Sequence, residues 1–173
     1  MIFTGFKLKS NQLFFNKHLK TFVANRHNYE SKNVKRVLII LDDISKKTVI
    51  LDDFNNLFGI VESKIDIFVF QKMDIKDGPL DHVISAKDFG WYGKIKSDKL
   101  NSILTKKYDL LINYSKIENI YSNLLILQCK TAFNVGFSHL DKRLYDLLIK
   151  CKDSDTNLFN KELKKYLAIL KKI

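Results

Sequence analysis

The sequence is most informative at first through what it lacks. No run of about 18 apolar residues occurs, and the N-terminus, M-I-F-T-G-F-K-L-K-S, has no apolar core leading to a small-residue cleavage site. The expected location is therefore the cytoplasm. Cysteine is limited to Cys129 and Cys151, far apart, with no C-x-x-C and no histidine at metal-ligand spacing. Two buried, reduced thiols are expected, and no metal or other cofactor. Only one proline is present, and it falls in Asp77-Gly78-Pro79, which marks the one plain loop between Asp74 and Leu80.

Catalytic and nucleotide signatures are missing as well. Gly90-Trp-Tyr-Gly93-Lys94 contains a Gly-Lys pair but neither the preceding spacing nor the following Ser or Thr of a phosphate-cradling loop. No G-x-G-x-x-G follows the first strand, and no nucleophile elbow, H-E-x-x-H or cleft carboxylate pair occurs. Asp42 and Asp43 are neighbours at a strand end and would point to opposite sides. His139 near Asp141 is the one pairing of the four scattered histidines that suggests acid-base work. No catalytic residue is assigned, and a non-enzyme is the expectation.

What is present supports a packed fold. Hydrophobic residues are 46% of the chain, with 13 phenylalanines, enough for a core. A single domain of 173 residues should bury roughly 70% of its unfolded surface. The net charge of +11 is unevenly placed. Residues 1–36 carry +7, residues 161–173 carry +4, and the stretch between is balanced. The expected organisation is a basic helical extension over residues 1–33 and one α/β domain over 34–173.

Ser10 is positioned to cap a helix reaching about His27, with Phe15, Leu19, Phe22 and Val23 on one side and Lys9, Lys17, Lys20 and His27 on the other. Leu13 intrudes on the basic side. Asn25 to Lys35 reads as a linker. Val34 to Leu41 reads as a strand buried on both faces, and Asp53 to Glu62 as its crossover helix, from the three- and four-residue spacing of Phe54, Leu57, Phe58 and Val61. Further strands are expected at Ile65–Phe70, Asp81–Ile84, Asp109–Tyr114, Phe133–Phe137 and Leu144–Ile149. Helices are expected at Ser97–Lys107, Ile117–Lys130 and Asn157–Ile173, the last with Phe159, Leu163, Tyr166, Leu167 and Leu170 along one stripe and Lys161, Lys164, Lys165, Lys171 and Lys172 along the opposite arc. Alternating strands and helices with short connections predict an α/β, Rossmann-like three-layer sandwich: a mainly parallel sheet of five or six strands, with basic amphipathic helices at both termini.

In such a sheet ligands collect beyond the carboxyl ends of the strands. The residues expected there are Asp42, Asp88, Trp91, Lys94, Asn113 and Arg143, a rim for a small anionic ligand; any sheet of this kind shows a similar polar rim. Trp91 and Tyr92 beside Lys94 and Lys96 are expected to anchor a loop to the core, with Gly90 and Gly93 supplying the turn. The alternative is that the two rings stack on bases while the ammonium groups meet phosphate.

D-F-G-W-Y-G-K-I (Asp88 to Ile95), Y-D-L-L-I-N-Y (Tyr108 to Tyr114), F-N-V-G-F (Phe133 to Phe137) and D-K-R-L-Y-D-L-L-I (Asp141 to Ile149) together resemble an uncharacterised family of small proteins from flavobacteria and related Bacteroidota. That resemblance implies family membership over most of the chain and no particular activity. The order of the Y-D-L strand, helix and V-G-F strand is also similar to the N-terminal half of heptosyltransferase-like glycosyltransferases, whose second, nucleotide-sugar-binding domain has no counterpart in this sequence.

The functional expectation follows from the charge. A balanced body with basic ends suggests a non-catalytic protein that binds RNA, ribosomal RNA or a ribonucleoprotein above all, through Lys9, Lys17, Lys20, Arg26, Lys164, Lys165 and Lys172. Two alternatives stay open: a Rossmann-like ligand-binding protein or transferase-like enzyme using the strand-end rim, and a peripheral membrane protein docking through the N-terminal helix.

Overall fold

The computed structural model describes residues 2–25, 29–70, 83–152 and 155–173. Its centre is a six-stranded parallel sheet of β1 (Val37–Leu41), β2 (Ile65–Phe70), β3 (Val83–Ile84), β5 (Leu110–Asn113), β7 (Asn134–Phe137) and β8 (Leu147–Ile149), in the spatial order β3-β2-β1-β5-β7-β8. Taken in chain order, the six strands lie 3-2-1-4-5-6, so the winding reverses between β1 and β5. A separate two-stranded parallel ribbon pairs β4 (Lys107–Tyr108) with β6 (Lys130–Thr131).

The helices are α1 (Ile2–Asn25), α2 (Lys47–Phe58), α3 (Asp98–Leu104), α4 (Ile120–Gln128) and α5 (Thr156–Ile169). Val-Leu-Ile-Ile-Leu of β1 is buried at every position, as expected of a central strand covered on both faces. Ile40 is in register with Phe68 on one side and Asn113 on the other, and Asn113 with Gly136. These side chains share a face. Phe68 on that face lies under Lys99 of α3, and Phe70, two residues on, stacks on Tyr121 of α4. The next residues along β5 and β7 point the other way: the rings of Tyr114 and Phe137 both pack on Phe159 of α5, and α5 in turn packs on α2, where Asn160 donates to Asp53 Oδ2 at 2.9 Å. The sheet therefore separates α3 and α4 from α2 and α5.

Helix α1 packs on α4 and adds Phe15 and Leu19 to the same core. The two basic helices are thus on opposite faces of the molecule.

Several boundaries differ from the sequence expectation for local reasons. Helix α1 begins eight residues before Ser10, so Ser10 is not a cap; it is buried mid-helix and donates to the Lys7 carbonyl at 2.9 Å. Helix α2 starts at Lys47 and stops at Gly59, whose φ of 66° ends it with left-handed backbone, leaving Val61 exposed and Glu62 in a 3-10 turn. Asn119 caps α4 and Asp155 caps α5, each through its side-chain oxygen. Helix α3 is shorter than expected because Lys107 is taken into the β4–β6 ribbon. Leu144 lies in a 3-10 turn, and the strand expected over Leu144–Ile149 is its second half. The expected loop from Asp74 to Leu80 and the first two residues of the expected Asp81–Ile84 strand lie outside the described residues.

Candidate nucleic-acid interface

The stretch after β3 folds back on itself and is held down by α1. Ser85 caps a 3-10 turn at Ala86–Asp88, and Asp88 Oδ2 accepts from the Ser85 N–H at 2.7 Å, completing a capping box. Phe89 and Ile95, both buried, pair as an antiparallel bridge. Between them the chain reverses over Trp91-Tyr92-Gly93-Lys94, the Lys94 N–H donating to the Trp91 carbonyl at 3.1 Å. Tyr92 and Gly93 have φ of 52° and 72°. Two successive left-handed residues belong to a turn type that favours Asn-Gly, so the tyrosine is held there against its own preference.

What holds it is Asn11 of α1, fully buried. Its Nδ2 donates to the Gly90 carbonyl at 3.0 Å, and its Oδ1 accepts from the Gly93 N–H at 2.8 Å. The Gly93 carbonyl accepts from Gln128 Nε2 of α4 at 3.0 Å. The Tyr92 N–H donates to Ser10 Oγ at 3.4 Å, and Lys7 Nζ reaches the Ala86 carbonyl at 2.7 Å. The Phe14 ring lies so close to Gly93 that a Cβ there would sit 2.4 Å from it, so no larger residue fits.

The backbone of the turn is thus committed to the fold while its two large side chains are not. Trp91 is 43% exposed and Tyr92 66% exposed. This overturns the expectation that they anchor the loop; Phe89 does that, and the rings face outward. Around them Lys87, Lys94 and Lys96 are exposed. Lys7 has its pKa lowered, first by burial and then by the neighbouring Lys96 ammonium, with Asp88 acting in the opposite sense. Cations are crowded here.

Helix α1 contains no carboxylate. At 100° per residue, Phe6, Leu13 and Lys17 follow the stripe of Ser10, with Lys9 and Lys20 beside it. All five are exposed, Phe6 and Leu13 at 60% each. One face therefore runs from Trp91 and Tyr92 onto α1, mixing open aromatic and apolar side chains with lysines.

The chain belongs to a family of unknown function, DUF6913. The family's model matches residues 7–170, which takes in most of α1, the Trp91 turn and α5. No curated protein and no solved structure matches the chain.

The remaining residues singled out in the sequence are distributed as follows. Lys164 and Lys165 are exposed on α5, across the sheet from α1, and Lys165 pairs with Glu162 at 2.6 Å. Lys172 is half-buried: its Nζ donates to the Ser31 carbonyl at 3.1 Å and lies 5.3 Å from the centre of the Phe133 ring. It ties the C-terminus to the segment before β1 and does not join an outward basic arc. Arg26 and His27 lie outside the described residues.

The strand-end rim is largely used by the fold. Asp42 Oδ2 accepts from the Lys116 N–H at 2.6 Å. Asn113, at the winding reversal, is buried between the Tyr145 hydroxyl at 2.8 Å and the Ser115 N–H at 3.0 Å. Arg143 makes a two-pronged contact with Asp141, whose carboxyl is held below its usual range by those hydrogen bonds. His139 meets the Ser115 carbonyl at 3.2 Å, so the expected His139–Asp141 pair is split between other partners. Both thiols are free, and burial pushes Cys129 up to about 12. Among the described residues no three His, Cys, Asp or Glu side chains gather as a metal site requires, and no helix is long and apolar enough to cross a membrane.

Asn11 and Ser10 were not legible as site-forming residues. A polar pair inside a helix has no local signature, and their role exists only because a turn about 80 residues away lands on them. The sequence signal that did point here was the concentration of aromatics and glycines between Ser85 and Lys96.

Proposed function

We propose that the protein is a non-catalytic binder of single-stranded RNA, free or displayed on a ribonucleoprotein, and that the contact is made by one face: Trp91 and Tyr92 on their clamped turn, with Lys94, Lys96, Lys9, Lys17 and Lys20. This departs from the expectation built on two basic ends: the α5 lysines are on the other side of the sheet, Lys172 is tied to Ser31, and the residues of the Trp91 turn take their place. The observation that carries the reading is the exposure of two adjacent aromatic side chains on a turn whose backbone is held at Gly90, Tyr92 and Gly93, beside a helix without carboxylates. Flat open rings stack on bases at about 1–3 kcal/mol each, and the ammonium groups follow the phosphates. A bulky residue in left-handed backbone costs stability that a merely structural turn would avoid by using glycine or asparagine. Such a role fits a cytoplasmic protein.

Trp91 is the sole tryptophan, so its fluorescence reports the site directly. Titrating the full chain with a 12-nucleotide uridine oligomer should quench it saturably. Five phosphate contacts predict a slope of about −3.5 in log affinity against log salt, or roughly a hundredfold loss between about 50 and 200 mM. Exchanging Lys17 and Lys20 for glutamate should weaken binding strongly, whereas the same exchange at Lys164 and Lys165 should leave it unchanged. Equal losses from both pairs would mean that net charge alone is at work, and the reading fails. It fails also if anionic liposomes bury Trp91 while the oligomer does not, which would assign the face to a membrane surface.

A further inference from the structure

A second feature lies behind α1 and does not depend on its outward face. A cavity of about 520 Å³ opens between the C-terminal half of α1, the end of α4 and the β4–β6 ribbon, within the range of small-molecule sites, roughly 300–1,000 Å³. Its body is apolar, built from Phe14, Phe22 and Leu127. At the ribbon it carries Lys107 and Lys130, and none of the described lining residues is acidic.

The two lysines are register partners in adjacent strands, Lys107 opposite Lys130, which sets like charges side by side on one surface. Like charges set opposite one another weaken the pairing, and an anion between them would relieve that cost. Lys107 Nζ is 5.3 Å from the centre of the Tyr29 ring, on the wall of the same cavity. The Tyr29 hydroxyl already donates to Asp109, and Gln128 is occupied by the carbonyls of Gly93 and Leu124, so neither competes for a charged ligand end. Thr131 lines the cavity, and its buried hydroxyl has no hydrogen-bond partner among the described residues.

We propose that this cavity binds a small amphipathic carboxylate, its apolar chain or ring among Phe14, Phe22 and Leu127 and its carboxylate between the Lys107 and Lys130 ammonium groups. The pairing of chemistries is specific: an apolar slot selects the body, and the lysine pair selects an anion over the corresponding alcohol.

The test uses the full chain without RNA. The fluorescent naphthalene sulfonate ANS shares the apolar body and single negative charge and should brighten saturably with one site per chain. Decanoate should displace it at least tenfold more effectively than decanol, which has the same chain without the charge. Replacing both Lys107 and Lys130 by methionine should abolish that preference while leaving decanol competition within about twofold of wild type. Replacing Lys164 and Lys165 should leave both the preference and the decanol competition as in the wild type. Unsaturable ANS binding, equal displacement by decanoate and decanol in the wild-type chain, or a preference that survives loss of both lysines would each overturn the proposal. The wild-type comparison stands even if the double variant does not fold.

Discussion

Replacing Asn11 by alanine tests the join on which the proposed interface rests. Asn11 is fully buried and makes two hydrogen bonds at once, to the Gly90 carbonyl and from the Gly93 N–H. Alanine removes both partners and leaves a buried donor and a buried acceptor unsatisfied, at about 1–3 kcal/mol for each. Entry of water into the vacated space would relieve part of this, so a loss of about 2–4 kcal/mol is expected. For a chain of this length 1 kcal/mol moves the melting temperature by about 2–4 °C, giving a fall of roughly 5–15 °C. Differential scanning calorimetry measures it, with Gln12→Ala as the neighbouring control; Gln12 is exposed, and its loss should stay within about 0.5 kcal/mol. Because Asn11 also fixes the turn, the emission of Trp91 should shift and its quenching by oligouridine should weaken. If Asn11→Ala melts with the wild type and Trp91 emission is unmoved, α1 does not clamp the turn and Trp91 and Tyr92 do not form one face with it.

Further outcomes follow from the same geometry. Tyr92→Gly removes a bulky side chain from left-handed backbone, a relief of about 1–2 kcal/mol, against about 0.5–1 kcal/mol of added chain entropy. Stability should hold or rise slightly while affinity for oligouridine falls; a parallel loss of both would show that the ring supports the fold. Burial alone would raise the pKa of Asp109, but hydrogen bonds from Ser31, the N–H groups of Arg36 and Lys35, and the Tyr29 hydroxyl outweigh it and hold the carboxyl below its ordinary value. A depressed folded pKa gives stability that is present above about pH 4 and is lost as pH falls toward the folded value. Urea midpoints from about pH 6 down to about pH 2 should therefore fall less steeply for Asp109→Asn than for the wild type, and identical acid limbs would contradict this bonding. With a disulfide reagent at neutral pH, only the half-buried Cys151 should react in the native chain; Cys129, buried and with a thiol pushed up to about 12, should react on unfolding. Immediate reaction of both would show that the α4 terminus is open.

Composition and periodicity decided the architecture. Five apolar residues ending in two aspartates pointed to a strand covered on both faces, and its alternation with segments of helical spacing pointed to a parallel sheet with crossovers. These are local signals, carried by neighbours in the chain. The boundaries that slipped were those where one residue overrides the pattern, such as Gly59 ending α2 while apolar spacing continues to Val61. What the sequence could not decide was which surfaces meet. Both ends of the chain carry lysines, and nothing in their order reveals that α1 packs on α4 and α5 on α2, so that the sheet stands between the two basic arcs. Likewise the aromatics of Trp91-Tyr92 are visible as letters, but whether they point inward or outward depends on Asn11 and Phe14, about 80 positions away, claiming the backbone of the turn. Chain position carries the period of each element; only the packed molecule assigns each face a neighbour or leaves it to solvent, because burial is a property of what arrives from elsewhere in the chain.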